Sequence, residues 1–353
     1  MALDASIFIP DISGYTEFVS QTELEHSSHI INELLEVLVE SNFTDLTLSE
    51  IEGDALLFYR TGAPLPLVEM TRQAVAMFSN FHNRLKIIER DSICQCGACQ
   101  TASKLSLKFV VHYGAIQEMR IANFVKASGL DMIIAHRLLK NSLASDEYVL
   151  ATASYLEAAA DRVTTSELSW IAASEDYPAV GTIPFQYALL DTIRESLPPA
   201  PTRQQAKVRL DDRVVQIEFA SSMIDAYQAL IDFNGRKLWI DGLRSGDGEQ
   251  PIDRLDAKHF CYFDNFTVRI VPLERVISED SIRYVEQFSI PEQGLTGITE
   301  FILEKLGSCH TRLTGRVGSQ EGAELAADTA LGLLVRMREN LERLKQLVET
   351  DTV

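Results

Sequence analysis

The hydrophobic pattern changes period several times along the chain. Residues 6–10 and 55–59 are short apolar runs, read as buried strands. Residues 30–39 and 68–88 carry apolar side chains at three- and four-residue spacing and predict helices. Residues 105–113 alternate like a strand and are expected to pair with 116–125 through a short turn at Gly114. A helix over 130–143 and late strands at 148–151 and 185–190 follow. Strands mixed with helices around a central hairpin predict an α+β arrangement with a ferredoxin-like core.

The segment Glu195-Ser196-Leu197-Pro198-Pro199-Ala200-Pro201-Thr202 stops this pattern, because clustered prolines hold the backbone extended and end any helix before them. The expected division is a first domain over 1–195, with a Cys-rich insertion at 89–103, a linker at 196–202 and a second domain over 203–353. Beyond the linker the pattern predicts a long strand at 208–219, a helix at 223–233, and strands that include 260–271 and 283–288. A final amphipathic helix carries Ala330, Leu331, Leu334, Met337, Leu341, Leu344 and Val348. This order suggests an antiparallel sheet wrapped on a long C-terminal helix.

A length of 353 residues agrees with two domains. The formal net charge is −19, and the first Lys or Arg is Arg60. Such a surface repels phosphate backbones and anionic lipid, so nucleic acid and membrane surfaces are not expected partners. No run of apolar residues is long enough to span a bilayer, and Met1-Ala2-Leu3-Asp4 lacks the basic start of a signal peptide. The five cysteines do not form an even, regularly spaced framework. A cytoplasmic location is expected.

Two segments carry candidate chemistry. In Ile9-Pro10-Asp11-Ile12-Ser13-Gly14-Tyr15-Thr16 an Asp ends a buried strand before a Gly turn. In Glu52-Gly53-Asp54-Ala55 a Gly-Asp pair sits in a hairpin turn. Carboxylates on neighbouring strands can share a hard cation such as Mg²⁺, which in turn can hold a nucleoside triphosphate. Read locally, each Asp is equally a turn or capping residue.

Taken in order with His112-Tyr113-Gly114 and Gly129-Leu130-Asp131-Met132-Ile133-Ile134-Ala135-His136-Arg137, these segments resemble class III nucleotide cyclases over about residues 5–190. The resemblance implies a cyclase catalytic-domain fold and a homodimer with composite sites. It makes Asp11, Asp54 and the Ile12 backbone ligands of Mg or Mn, and lays Ser13, Gly14, Tyr15 and Thr16 over the phosphates. It places Glu50 and Lys126 at the base, and Arg137, from the other subunit, in transition-state stabilisation. In active members the 3′-hydroxyl attacks the α-phosphorus and pyrophosphate leaves. This chain departs from the pattern. Ile133 stands where the family has the ribose-orienting Asn, and no basic residue near Val180-Gly181 replaces the phosphate-binding Lys. Glu50 and Lys126 exchange the charges of an adenine site, and Glu50 alone resembles a guanylate cyclase. One missing preorganised donor costs about 10²–10³ in rate, so catalysis and binding without turnover both stay open.

Cys94, Cys96 and Cys99, as C-x-C-x-x-C, are candidate ligands for a structural Zn²⁺ and equally a reduced thiol cluster. Cys261 and Cys309 read as ordinary core residues. The second domain resembles the helix-grip (START-like) fold. That implies a cavity for a small hydrophobic ligand, with Trp239, Phe260, Tyr262, Phe266 and Met337 as candidate lining, although strand aromatics are also common core residues. The alternative to a cyclase-like signalling protein is a non-catalytic dimeric binding protein that works through this cavity.

Overall fold

The computed structural model describes residues 2–20, 24–93, 101–121, 124–159, 168–178, 180–203, 205–248 and 254–350. The chain forms two compact units. Among these residues, 2–90 and 101–200 belong to the first, and 91–93 and 201–350 to the second. Cys94, Cys96 and Cys99, the candidate zinc ligands, lie outside the described residues.

In the first unit the strands are β1 (Leu3–Ser13), β2 (Thr47–Glu52), β3 (Ala55–Thr61), β4 (Ser106–Ile121), β5 (Phe124–Ser128), β6 (Tyr148–Thr152), β7 (Ile171–Tyr177) and β8 (Gly181–Leu189). The helices are α1 (Tyr15–Ser20), α2 (Leu24–Glu40), α3 (Leu67–Asp91), α4 (Leu130–Arg137), α5 (Ala153–Ala158) and α6 (Asp191–Ser196). The sheet order is β2-β3-β1-β4-β6-β8-β7, with β5 folded back on β4. All neighbours run antiparallel except β4 and β6.

The central strands are apolar without alternation because both faces are covered. From Ala5 to Ser13 every residue of β1 is buried. Ala5, Ile7 and Ile9 join Met132 and Ala135 of α4, and Leu138 just after it, in one core, while Phe8 on the other face stacks on Phe109 at 5.6 Å. Along α3, Met70, Ala74, Met77, Phe78, Phe81, Leu85 and Ile88 form the buried stripe read from the sequence.

The predicted hairpin is different. Gly114 lies inside β4, which continues to Ile121, and β5 is the returning strand. Glycine is needed there for close approach, since a Cβ at Gly114 would stand 2.1 Å from Asp131 Cγ. The predicted helix over 130–143 ends at Arg137.

In the second unit β9 (Val208–Leu210) through β16 (His310–Gln320) form an antiparallel sheet. Its order is β10-β16-β15-β14-β13-β12-β11, with β9 pairing the far part of β16. The remaining strands are β10 (Val215–Phe219), β11 (Ser245–Gly248), β12 (His259–Tyr262), β13 (Thr267–Ile277), β14 (Ser281–Ile290) and β15 (Leu295–Gly307). Among the described residues the α-helices of this unit are α7 (Met223–Ile231) and α8 (Ala327–Thr350), with α8 against β10 and β16.

The strand expected over 208–219 is two strands, both paired to β16. The one expected over 260–271 is the β12–β13 hairpin, closed by Phe263 N–H to the Phe266 carbonyl at 3.0 Å. Helix α8 buries Ala330, Leu334, Met337, Leu341, Leu344 and Val348, leaving Leu331 exposed. Cys261 is buried, but Cys309 is exposed in the turn before β16 and is not a core residue.

Candidate functional site

Strand β1 lies between β3 and β4, so Asp11 stands opposite Ala55 on one side and Lys108 on the other. The β2–β3 hairpin turns at Gly53, whose φ of +64° suits glycine. This turn brings Asp54 beside the end of β1, where the Ile12 N–H donates to the Asp54 carbonyl at 3.1 Å. Two acidic residues far apart in sequence thereby come together at one end of the central strands.

Asp11 is buried, and desolvation raises its carboxyl above the ordinary range against the pull of Lys108. Asp54 is pushed up to about 6, by desolvation first and by the negative charge of Asp11 second. Lys108 Nζ lies 3.1 Å from Asp11 Oδ2. One ammonium therefore faces two carboxylates, leaving a negative charge uncompensated. Hard carboxylate oxygens with one unit of charge to spare suit Mg²⁺ or Mn²⁺. Among the described residues no group of three or more His, Cys, Asp or Glu side chains is placed to hold a metal. A cation on Asp11 and Asp54 would thus draw its remaining oxygens from water or a ligand, the usual habit of Mg²⁺.

Lys108 was not singled out in the sequence. Its signal was there, because a Lys inside the apolar run from Leu107 to Val111 needs a buried partner. Asp146 and Tyr148 complete the surroundings. The charge of Asp146 acts on Asp11, and the Tyr148 hydroxyl accepts from Asn141 Nδ2 at 2.7 Å.

Glu50 and Lys126 meet each other, since the Lys126 ammonium donates to Glu50 Oε2 and also lies 3.8 Å from Glu52. Both proposed base contacts are therefore engaged within one chain. His136 reaches back to this hairpin, with Nε2 3.0 Å from Glu52 Oε2. Arg137 instead donates from an Nη to the Pro178 carbonyl at 3.0 Å, and it is His136, not Arg137, whose electrostatic influence reaches Asp11. Ile133 is half exposed. Ser13 is buried, Gly14 opens the turn into α1 with φ +87°, and Tyr15 and Thr16 begin that helix.

The His112-Tyr113-Gly114 segment is a clamp. His112 Nε2 is 3.0 Å from Asp131 Oδ1, and the Ala115 N–H donates to Asp131 Oδ2 at 2.8 Å. An ionised carboxylate only accepts, so Nε2 carries the proton, and Nδ1 accepts from the Thr152 hydroxyl at 2.9 Å. Burial lowers the His112 pKa, which keeps the ring neutral. The clamp docks the start of α4 on β4.

In the second unit a cavity of about 490 Å³ lies between the sheet and α8. Trp239, Phe266 and Met337 line it. Phe260 and Tyr262 do not. Alternation along β12 turns His259 and Cys261 inward and sends those two to the other face, correcting their assignment to the cavity. The sequence reading missed Arg236, which is 2% exposed on the cavity wall. Its guanidinium holds Glu286 through two hydrogen bonds of 3.3 and 2.8 Å and lies 4.1 Å from the Phe233 ring centre.

Comparison with known proteins places these features in context. Residues 31–148 match a family model described as a protein of unknown function (DUF2652). "Uncharacterized protein Rv2561/Rv2562" of Mycobacterium tuberculosis is 29% identical over 171 residues, 48% of this chain and 76% of that protein. Among solved structures, the adenylyl cyclase CyaB from P. aeruginosa is similar at 14% identity and a TM-score of 0.37, covering 54% of this chain and 95% of that one. A dimeric guanylyl cyclase domain from the fungus Blastocladiella emersonii reaches 15% and 0.37, covering 54% and 98%. Likeness at these scores carries no functional weight, and the reading below rests on the residues. No helix among the described residues is long and apolar enough to cross a membrane.

Proposed function

We propose that the first unit is a divergent class III cyclase-like module that binds a divalent cation, Mg²⁺ or Mn²⁺, and through it a nucleoside triphosphate. The observation that carries this reading is the Asp11–Asp54 corner, where burial raises both carboxyls, the charge of Asp11 raises Asp54 further, and Lys108 is the chief opposing group. Asp11, Asp54 and the Ile12 carbonyl would hold the cation, which when bound neutralises phosphate charge. The turn at Ser13 and Gly14 would face the phosphates. Lys108 holds Asp11 in place until the cation arrives.

Binding without efficient turnover is the version we favour. Ile133 has no polar group to orient a ribose, and Glu50 is tied to Lys126. Arg137 turns to the Pro178 carbonyl of its own chain, so its part in a site would have to be played toward a second copy. Met119, Val125, Leu130 and Ile133 are exposed apolar side chains that a homodimer would cover. The second unit, read as a helix-grip domain, would sense a small apolar ligand in its cavity.

Incubation with Mg²⁺ or Mn²⁺ and each of ATP and GTP tests the first unit. Metal-dependent thermal stabilisation by one nucleotide, abolished in Asp11→Asn, is expected. Neither cyclic product nor a metal-dependent shift would leave the second reading, a non-catalytic dimer working through its cavity.

A further inference from the structure

A buried line of hydrogen bonds in the first unit ends on an exposed hydroxyl. Asp131 Oδ1 accepts from His112 Nε2, and its second oxygen is held by the Ala115 N–H. The other ring nitrogen, Nδ1, lies 2.9 Å from the Thr152 hydroxyl and 3.2 Å from the Ser154 hydroxyl, and these two oxygens are 3.0 Å apart. His112 and Thr152 are buried, whereas Ser154 is exposed. Thr152 caps α5 by accepting from the Tyr155 N–H. Neither that cap nor the clamp between His112 and Asp131 needs the Ser154 hydroxyl.

The protonation states suit general-base chemistry. Ionised Asp131 fixes the proton on Nε2, which leaves the Nδ1 lone pair as an acceptor. Burial lowers the His112 pKa, so the ring is a neutral base at ordinary pH. Asp131 is the charged group that acts on the ring, and it stabilises the imidazolium formed when Nδ1 takes a proton. The lone pair serves one hydroxyl at a time. Ser154 can pass its proton to Nδ1 directly or through Thr152 Oγ1, and both routes end on the same nitrogen. Thr152 is 1% exposed and out of reach of a substrate, so Ser154 is the oxygen that can act. Nucleophile, base and orienting acid thus stand in hydrogen-bond sequence, the arrangement that activates a serine for acyl transfer. Among the described residues, no Lys or Arg enters the hydrogen bonds of these four side chains. With a net charge of −19 on the chain as well, an uncharged ester fits this place better than a phosphate.

We propose that Ser154 is a nucleophile activated by His112 and Asp131, and that it accepts the acyl group of an uncharged ester of a short carboxylic acid. Ser154 Oγ bonds to the ester carbonyl carbon while its proton passes to His112 Nδ1. The bond from that carbon to the alcohol oxygen then breaks, and the alcohol leaves with the proton from Nδ1. Water attacks the acyl-serine in the same way, which releases the acid and returns a proton to Ser154 Oγ. None of the residues assigned to the cation takes part, so the inference stands apart from the nucleotide reading.

The test incubates the full chain with p-nitrophenyl acetate, follows release of p-nitrophenolate, and locates the acetyl group by mass spectrometry of peptides. Acetylation of Ser154 is expected, absent in Ser154→Ala and moved to sulfur in Ser154→Cys. Both changes fall on an exposed side chain that supports neither the cap nor the clamp, so the fold is kept. His112→Gln should slow acetylation of Ser154 by at least about 100-fold. With His112 as the base, the wild-type rate levels off above about pH 7, because the ring is already neutral there. An unassisted hydroxyl, whose ionisation lies far higher, would instead gain about tenfold per pH unit. This profile is read on the wild-type chain and does not depend on how His112→Gln folds. No acetyl group on Ser154, a rate without a plateau, or equal labelling of wild type and a folded His112→Gln would overturn the proposal and leave Ser154 an ordinary surface hydroxyl.

Discussion

Replacing Asp54 by Asn should make the first unit more stable at neutral pH, although Asp54 is a leading candidate ligand. The Asp54 carboxyl is raised from the ordinary 3.8 to about 6 by desolvation and by Asp11. A carboxyl raised on folding binds more protons in the folded chain between these values. Its favourable contribution is therefore complete below about pH 4 and is lost as pH climbs through about 6. A displacement of this size is worth about 3 kcal/mol for a fully enclosed group. Asp54 is only partly buried, and solvent screening brings the expectation to about 1–2 kcal/mol. Asn does not titrate and keeps an amide oxygen for the backbone contact. The variant should match wild type near pH 4 and exceed it by about 1–2 kcal/mol near pH 7. Urea unfolding measures this cleanly. The chain has two tryptophans, Trp170 in the first unit and Trp239 in the second. In a Trp239→Phe background, Trp170 fluorescence follows the first unit alone. Millimolar Mg²⁺ should then reverse the ranking, because a bound cation stabilises only the chain with both carboxylates. A pH-independent gap, or a variant less stable than wild type at neutral pH without metal, would refute the electrostatic argument.

Three other substitutions probe the supports of the two sites. Gly114→Ala must displace Asp131, breaking its contacts with His112 and the Ala115 N–H. A loss of about 2–3 kcal/mol in the Trp170-monitored transition is expected, and an unchanged midpoint would contradict the clamp. Either Arg236→Met or Glu286→Leu leaves a buried charge unpaired and should cost about 3–5 kcal/mol, whereas the double variant should recover much of that loss. A double-mutant cycle on Trp239-monitored unfolding reads the coupling.

How much of this was visible before folding depended on distance along the chain. The apolar runs at 6–10 and 55–59 became β1 and β3, and the α3 stripe held over its length. Asp11 and Asp54 were legible because each signal is local, an acid at a strand end and an acid in a Gly turn. Lys108 was less so. Its meaning comes from the pairing of β1 with β4, which sets Lys108 opposite Asp11 across 97 residues of sequence (108 − 11). Gly114 was misread for the same reason, since a glycine that ends a strand and one that admits a neighbouring carboxylate look alike locally. The pairing of Lys126 with Glu50 was visible in the sequence as an exchange of charge. That Arg137 turns to Pro178 was not.

The second unit sharpens the distinction. The periodicity of α8 specified its buried stripe in all but Leu331, because 3.6 residues per turn converts spacing directly into a face. The parity of β12 was different. A shift of one residue sends every side chain of a strand to the opposite side, and only pairing with β11 and β13 and the packing beneath them selected which pair faces inward. By itself the sequence determined the apolar strands and stripes of the core, such as β1, β3 and α3, and the acidic, cation-poor beginning of the chain. The tertiary structure alone decided which charges meet, with Lys108 answering Asp11 and Arg236 answering Glu286. Local spacing acts through backbone geometry within a few residues, whereas electrostatic compensation depends on distances that exist only after distant strands have paired.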